Sequence, residues 1–315
     1  MPELAPLGDT ELLSWLRLWR SENVGPITFR QLLHRFGSGK AALAGLPELA
    51  RRGGRERPLS ICPLAAAERE IADLWRLGGR FIAISEPSYP AALAEIDDAP
   101  PLLSLLGDER LLERRAIAVV GSRNASANGR LLAKSLARDL GQRGWVVVSG
   151  LARGIDSAAH AGALETGTVA VLAGGIDRPY PPESERLYHE VARRGLLVSE
   201  MPFGRIPQAR HFPRRNRIVS GLALGTVVVE AAFNPARRQE KPSIHARLSK
   251  RVPVYPQLYP LGLTDPPRRH SILQLLDSPR RIRRHSASHE QRTVGSEEPH
   301  HSPGHVIDGA IWPKR

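Results

Sequence analysis

Residues Ala116-Ile117-Ala118-Val119-Val120 form an unbroken apolar run that ends at Gly121-Ser122-Arg123. A run of this length without polar alternation is typical of a strand buried on both faces of a sheet. Comparable runs follow along the chain, separated by segments with helical periodicity, at residues 145–148, 168–172, 196–199 and 226–229. Strands that alternate with helices over short connections form βαβ units. The sequence therefore predicts an α/β protein with an extended, Rossmann-like, doubly wound parallel sheet, which we assign to residues 81–232.

The segment before the sheet predicts a small helical domain over residues 1–80. Its apolar residues recur at helical spacing, and its helices are separated by the turns Val24-Gly25-Pro26 and Gly37-Ser38-Gly39. This pattern resembles a helix-hairpin-helix or a SAM-like bundle. The backbone amides of the first turn could bind a phosphate, or the unit could serve packing and protein contacts, which the pattern favours.

The charge of the chain is unevenly distributed. Its 45 Lys and Arg residues exceed its 32 Asp and Glu residues by 13. Residues 231–315 hold 15 of the basic and 7 of the acidic residues, a net charge of +8, so residues 1–230 carry only +5. Net charge by itself is therefore weak support for a nucleic-acid partner.

Composition and the first residues exclude several other classes of protein. No apolar run approaches the roughly 18 residues that a membrane helix needs, so we expect no membrane partner. The opening Met1-Pro2-Glu3-Leu4 lacks the basic segment of a signal peptide. A single cysteine suits a reducing compartment, and we expect a cytoplasmic protein.

Glycine and arginine mark the ends of the predicted strands. Gly121, Gly150 and Gly174 follow three of them, and Arg123 and Arg153 come shortly after two of these glycines. Ligands of open α/β sheets bind at the carboxyl ends of the strands, where glycine lets them approach the backbone and arginine contacts phosphate oxygens. The dinucleotide fingerprint and the Walker A loop are absent. We therefore expect a phosphate-bearing ligand but no NAD, ATP or other cofactor.

The segment 211–223 combines an aromatic residue with a cluster of cations and begins a helix. Phe212 is followed by Arg214, Arg215, Asn216 and Arg217. A binding site for single-stranded nucleic acid requires cations for the phosphates and an aromatic plane for a base. In the alternative interpretation, Asn216 and one arginine cap the sheet through internal hydrogen bonds. We expect both roles to occur, with one arginine structural.

Acid–base or metal chemistry is not indicated. Asp156 and His160 share a helical face, but no third ligand or nucleophile accompanies them in a recognisable motif. Helix capping by Asp156 and packing by His160 explain the pair, so we assign no catalytic and no metal-binding residue.

Several motifs in order resemble the DNA processing protein A family (DprA, also called Smf). The resemblance covers about residues 10–232 and rests on the stretches Val120-Gly121-Ser122-Arg123, Ser149-Gly150-Leu151-Ala152-Arg153-Gly154-Ile155-Asp156, Ala173-Gly174-Gly175-Ile176-Asp177, Tyr180-Pro181, Ser199-Glu200, Phe212-Pro213-Arg214-Arg215-Asn216-Arg217-Ile218-Val219-Ser220-Gly221 and Val228-Val229-Glu230-Ala231-Ala232.

This resemblance implies a single-stranded DNA-binding protein, not an enzyme. Members of the family protect DNA taken up in natural transformation, help to load the recombinase RecA onto it, and form homodimers. The implied DNA-binding residues are Gly121, Ser122, Arg123, Arg153, Gly154, Gly174, Arg210, Phe212, Arg214, Arg215, Asn216 and Arg217.

Two other interpretations stay open. A Rossmann-like enzyme of the lysine-decarboxylase-like phosphoribohydrolase class would suit the glycine-rich strand ends, but its Pro-Gly-Gly-x-Gly-Thr loop and catalytic glutamate are missing, and Glu230 is the nearest substitute. The family pattern also stops after Ala232, where a Pro-, Arg- and His-rich composition begins. We therefore predict that residues 233–315 are a basic tail, disordered or out of frame, and a frameshifted chain would be non-functional.

Overall fold

The computed structural model describes residues 7–52 and 57–230 of the 315-residue chain. The tail predicted for residues 233–315 lies outside this part, and that prediction stays untested. The described chain begins with four helices and continues into a seven-stranded sheet with helices on both faces.

The helical unit comprises α1 (Asp9–Arg20), α2 (Pro26–Phe36), α3 (Gly39–Arg52) and α4 (Leu64–Arg76). Its centre is the fully buried ring of Phe29, which meets the rings of Trp15 and Trp19 edge-on at centroid distances of 5.1 and 6.2 Å. The first amide of α3, on Gly39, donates to Glu11 Oε1 at 2.6 Å. The turn between α2 and α3 is therefore closed by the protein's own carboxylate.

The sheet runs in the order β1-β2-β6-β5-β4-β3-β7. Its strands are β1 (Arg80–Ala83), β2 (Leu102–Gly107), β3 (Ala116–Gly121), β4 (Val146–Ser149), β5 (Thr168–Val171), β6 (Leu196–Ser199) and β7 (Gly225–Val229). Strands β6, β5, β4, β3 and β7 are parallel, and the antiparallel β2 and β1 extend the sheet beyond β6. The Rossmann-like fold predicted from the sequence is confirmed.

Helices cover the two faces because successive strand residues point in opposite directions. They are α5 (Ala91–Ala94), α6 (Ala127–Gln142), α7 (Ile155–Ala163), α8 (Glu185–Arg194) and α9 (His211–Gly221). Ile117 and Val119 of β3 pack towards α6 and α7, whereas Ala118 belongs to the core that contains residues of α9. Among the described residues, no helix is long and apolar enough to cross a membrane.

Strand β2 was not predicted. Its run Leu102-Leu103-Ser104-Leu105-Leu106 follows two prolines and fits a helix or a strand equally well by composition. Antiparallel pairing with β6, as between Ser104 and Ser199, fixes it as a strand. That partner lies about one hundred residues further along the chain, so local sequence could not reveal it.

The helical unit contacts the sheet through an arginine on α1. Arg20 makes a two-pronged ion pair with Glu70 of α4, at 2.7 Å for its shortest contact, and its Nη1 donates to the carbonyl of Glu200 at 3.1 Å. Both side chains of this pair are largely buried. The carboxyl end of β6 is therefore held against the helical unit.

Candidate functional site

A cleft of about 300 Å³ lies over the carboxyl ends of β3, β4 and β5. Parallel strands deliver their following loops to the same edge of a sheet, and this edge is where ligands of such folds bind. The cleft brings together predicted site residues from four separate segments: Arg123, Arg153, Gly174 and Phe212. Gly150, singled out by its place at a strand end, also lines it.

An arginine–aromatic stack forms one wall of the cleft. The guanidinium carbon of Arg123 lies 4.4 Å from the centroid of the Phe212 ring, a cation–π geometry. Phe212 reaches this position because α9 begins at His211, beside the strand ends. The Tyr180 ring adjoins Phe212 at a centroid distance of 5.8 Å and a tilt of 46°.

Tyr180 is the aromatic residue of this wall that sequence reasoning missed. It lines the cleft and is 42% exposed, whereas Phe212 is half-buried between Arg123 and Tyr180. Its signal in the sequence was confined to the family motif Tyr180-Pro181. Because Tyr180 is the more exposed of the two rings, it offers the more accessible plane for stacking.

The predicted glycines bring loop backbones into close contact. Gly154, just before α7, has a φ of +81°, and a Cβ there would lie 2.3 Å from the carbonyl oxygen of Ser122. A Cβ on Gly121 would lie 1.8 Å from the carbonyl oxygen of Val229. These glycines therefore let the loop that carries Ser122 and Arg123 pack against its neighbours, and so orient Arg123.

Arg215 lies beneath the cleft and not on its surface. Its side chain is buried, its Nη1 donates to the carbonyl of Val171 at 2.9 Å, and the guanidinium fills the space that a Cβ on Gly150 would need. Burial lowers the pKa of Arg215, and the charge of the nearby Asp156 opposes this effect. Burial raises the pKa of Asp156, and the charge of Arg215 opposes this rise.

Arg217 is also placed in the interior, where it pairs with the buried carboxylate of Glu200 and lies 3.3 Å from Asp98. The prediction that Arg215 and Arg217 face DNA therefore needs correction, because the two side chains leave α9 in different directions and both end in the interior. Arg215 meets Val171 of β5, and Arg217 meets Glu200 and Asp98. One structural arginine was expected, and the structure places two inside. Asn216 lies between them and is half-buried.

Exposed cations line the cleft or lie on the segment that leads into α9. Arg123, Arg153 and Arg210 are exposed, and Arg153 Nη2 donates to the side chain of Asn124 at 3.2 Å. Arg214, which is 46% exposed, pairs with Glu200 at 3.2 Å. Arg178 adds a charge that sequence reasoning did not select.

Acidic groups offset part of this charge. Arg178 pairs with Asp177 at 3.1 Å, and Glu183 contributes an exposed carboxylate to the lining. The cleft is therefore basic on balance, with its cations supplied by several loops.

The position that holds a pyrophosphate in dinucleotide-binding folds is filled by the chain itself. Glu230, just after β7, accepts hydrogen bonds at 3.0 Å from both the amide and the hydroxyl of Ser126, the residue that precedes α6. A Cβ on Gly129 would lie 1.9 Å from Glu230 Oε2. The helix terminus that would attract a phosphate is thus neutralised by a side-chain carboxylate.

Asp156 and His160 are both buried. His160 is fully buried, with Nδ1 2.7 Å from the Thr168 hydroxyl and Nε2 accepting from the Leu151 amide at 3.3 Å. Burial, reinforced by the charge of Arg215, lowers the pKa of His160 to about 3. Within residues 7–52 and 57–230 no cluster of His, Cys, Asp and Glu side chains could hold a metal ion.

Fold and cleft together define a class of protein. It is a Rossmann-like domain with an open, basic and aromatic cleft, which suits a ligand that has several negative charges and planar rings. The model of the family described as DNA recombination-mediator protein A matches residues 80–235, and that of the DprA-like N-terminal HHH domain matches residues 9–72. The chain belongs to the DNA processing protein A family.

Individual relatives agree with this assignment. DNA processing protein DprA of Bacillus subtilis is 41% identical over 51% of this chain and 56% of its own length. Protein Smf of Synechocystis is 31% identical over 71% of this chain and 60% of its own. The crystal structure of DNA processing protein A from Streptococcus pneumoniae superposes with a TM-score of 0.57 at 31% identity, over 73% of this chain and 80% of that one. The chain thus spans little more than half the length of the first two relatives.

Proposed function

We propose that this chain binds single-stranded DNA in the cleft over β3, β4 and β5. The observation that carries the proposal is the wall of Arg123, Phe212 and Tyr180 in an open basic cleft. Arginines of the rim contact phosphates, and the exposed ring of Tyr180 stacks on a base, with Phe212 behind it. Bases present their faces only when unpaired, so this arrangement favours single strands and little sequence preference.

The distribution of carboxylates argues against the enzyme alternative. Glu230, the nearest substitute for a catalytic glutamate, is engaged at the start of α6. Asp156 and His160 lie in the interior, and Glu183 is the one carboxylate among the residues that line the described cleft. We therefore propose a binding protein without a catalytic residue or a cofactor.

The wider role follows from the family. The description of its members as recombination mediators supports the proposal that the bound strand is protected and passed to RecA. The family resemblance also leads us to propose that the chain acts as a homodimer. The single cysteine suits the reducing cytoplasm that we propose as its location. We also propose domains at residues 1–80 and 81–232, supported by the end of α4 at Arg76 and the start of β1 at Arg80.

Arg123→Ala tests the DNA site. The variant loses one phosphate contact and the charge over Phe212, so its affinity for a fluorescent oligothymidine is expected to fall about tenfold. The slope of log affinity against log salt concentration is expected to shrink by about 0.7, the value for one phosphate of a single strand. Fluorescence anisotropy over a series of salt concentrations measures both quantities.

Two further variants sharpen this test. Arg123→Lys retains the charge and is expected to keep the salt slope while losing part of the affinity. Arg186→Ala removes an exposed arginine of α8, 92% exposed and outside the cleft, and is expected to change neither quantity. Unchanged affinity and slope in Arg123→Ala would refute the site. Hydrolysis of a nucleoside monophosphate by the wild-type chain would instead favour the enzyme.

A further inference from the structure

We propose that the loop between β6 and α9, at residues 202–208, forms a second nucleotide subsite that adjoins the cleft. This inference rests on the proposed function and extends it, because it defines the path of the bound strand across the protein surface. The subsite takes the nucleotide next to the one held in the cleft, with its phosphate on Arg205 and its base or sugar against Ile206.

The loop carries a shallow groove of its own. Its lining residues are Pro202, Phe203, Gly204, Arg205, Ile206 and Gln208. Pro207, which lies between two of them, lines the cleft instead. The two concavities are therefore neighbours on one loop, and in this proposal a strand that leaves the cleft past Pro207 continues into the groove.

The loop is held in place by hydrogen bonds from several parts of the fold. The carbonyl of Arg205 accepts from the Gly175 amide at 2.8 Å, and the Gly204 amide donates to Asp177 Oδ1 at 2.7 Å. The Phe203 amide donates to Glu70 Oε1 on α4 at 3.2 Å. Because the backbone is fixed, the groove is preorganised and loses little conformational entropy on binding.

The side chains that the loop presents fit a nucleotide. Ile206 is 68% exposed, an apolar surface held out to solvent beside the cleft. Arg205 is exposed, and its guanidinium has no hydrogen-bond or ion-pair partner among the described residues. The nearby carboxylates of Asp177 and Glu70 are engaged with Arg178, Arg20 and loop amides. An unneutralised cation next to an exposed apolar side chain is complementary to a phosphate that carries a base.

The test measures affinity as a function of strand length. Oligothymidines of about 4 to 16 nucleotides, the range of site sizes known for the OB folds that bind single strands, are titrated against the wild type and the double variant Arg205→Ser, Ile206→Ser. Wild-type affinity is expected to rise with length until both subsites are filled. On the shortest strand that binds, the affinity of the variant is expected to equal that of the wild type. Its affinity is expected to stop rising at a shorter strand length, and to be about tenfold lower on the longest strand.

A matched control removes the same kinds of side chain elsewhere. Leu131→Ser with Arg138→Ser on α6 deletes a 67% exposed leucine and a 61% exposed arginine outside both concavities, and is expected to leave the length dependence unchanged. If the affinity of the loop variant stops rising at the same strand length as in the wild type, or falls by the same factor at all lengths, the second subsite is overturned while the proposed function stands. Absence of wild-type binding at every length overturns both.

Discussion

Acidification is expected to destabilise this protein through His160, because the histidine is buried in its neutral form. The Thr168 hydroxyl donates to the carbonyl of Val147 at 2.8 Å and therefore accepts from Nδ1–H of His160, which leaves Nε2 to accept from the Leu151 amide. A second proton on Nε2 would face that amide and the charge of Arg215. The ring therefore resists protonation in the folded state.

The pKa values set the magnitude of this effect. The pKa of His160 falls from 6.5 to about 3 on folding, so the unfolded chain binds more protons than the native chain between these values. Stability is then lost as the pH falls through 6.5, and the loss continues towards pH 3. Between pH 8 and pH 5 the free energy of unfolding is expected to fall by about 2 kcal/mol from this residue. For a folded unit of this size, that corresponds to about 4–8 °C in Tm.

Thermal or urea unfolding at pH 8 and pH 5 measures this loss, and His160→Gln provides the comparison because its side chain does not titrate. The variant is less stable at pH 8, but its additional loss at pH 5 is expected to be smaller by about 2 kcal/mol. Asp156 acts in the opposite direction, since its raised pKa favours the native state as the pH falls through that pKa, and both proteins retain it. Equal losses in the two proteins would refute the assignment to His160.

Two substitutions test the packing around the cleft. Gly150→Ala places a Cβ 1.3 Å from Nη1 of Arg215 and is expected to lower the unfolding free energy by about 1–3 kcal/mol, measured as a lower urea midpoint. The control Gly225→Ala, whose Cβ would meet Ile117 Cδ1 at an ordinary 3.6 Å, is expected to change it little. Glu230→Ala removes the carboxylate that accepts from Ser126 at the start of α6 and is expected to cost about 1 kcal/mol. An unchanged urea midpoint would contradict the close packing of Arg215 on Gly150 in the first variant, or the hydrogen bonds between Glu230 and Ser126 in the second.

The positions of the five parallel strands and of the cleft's main residues could be predicted because they depend on local signals. Apolar runs mark buried strands, and the residue after a run lies at the carboxyl edge whatever the rest of the fold does. Arg123, Arg153 and Gly174 followed from this rule, and the structure places all three at the cleft. The aromatic and cationic composition of the segment 211–223 added Phe212.

The inward turn of Arg215 and Arg217 could not be predicted from the helix that carries them. This helix is polar on most sides, so its sequence shows no apolar stripe to say which face meets the sheet. The groups that receive these arginines come from distant segments: Val171 for Arg215, and Glu200 for Arg217. Burial of a cation depends on such partners, which only the assembled fold supplies.

By itself, then, the sequence determined a parallel sheet with arginines and glycines along one edge. Both signals, the apolar run of a strand and the residues that end it, depend on a few residues that are neighbours in the sequence. The tertiary structure decided which cations stay exposed, made Tyr180 the accessible ring, and set Glu230 against Ser126 across more than one hundred residues. These outcomes depend on contacts between segments far apart in the chain. The reason is physical: hydrogen bonding and burial are properties of the environment that a side chain meets, and that environment exists only once the chain has folded.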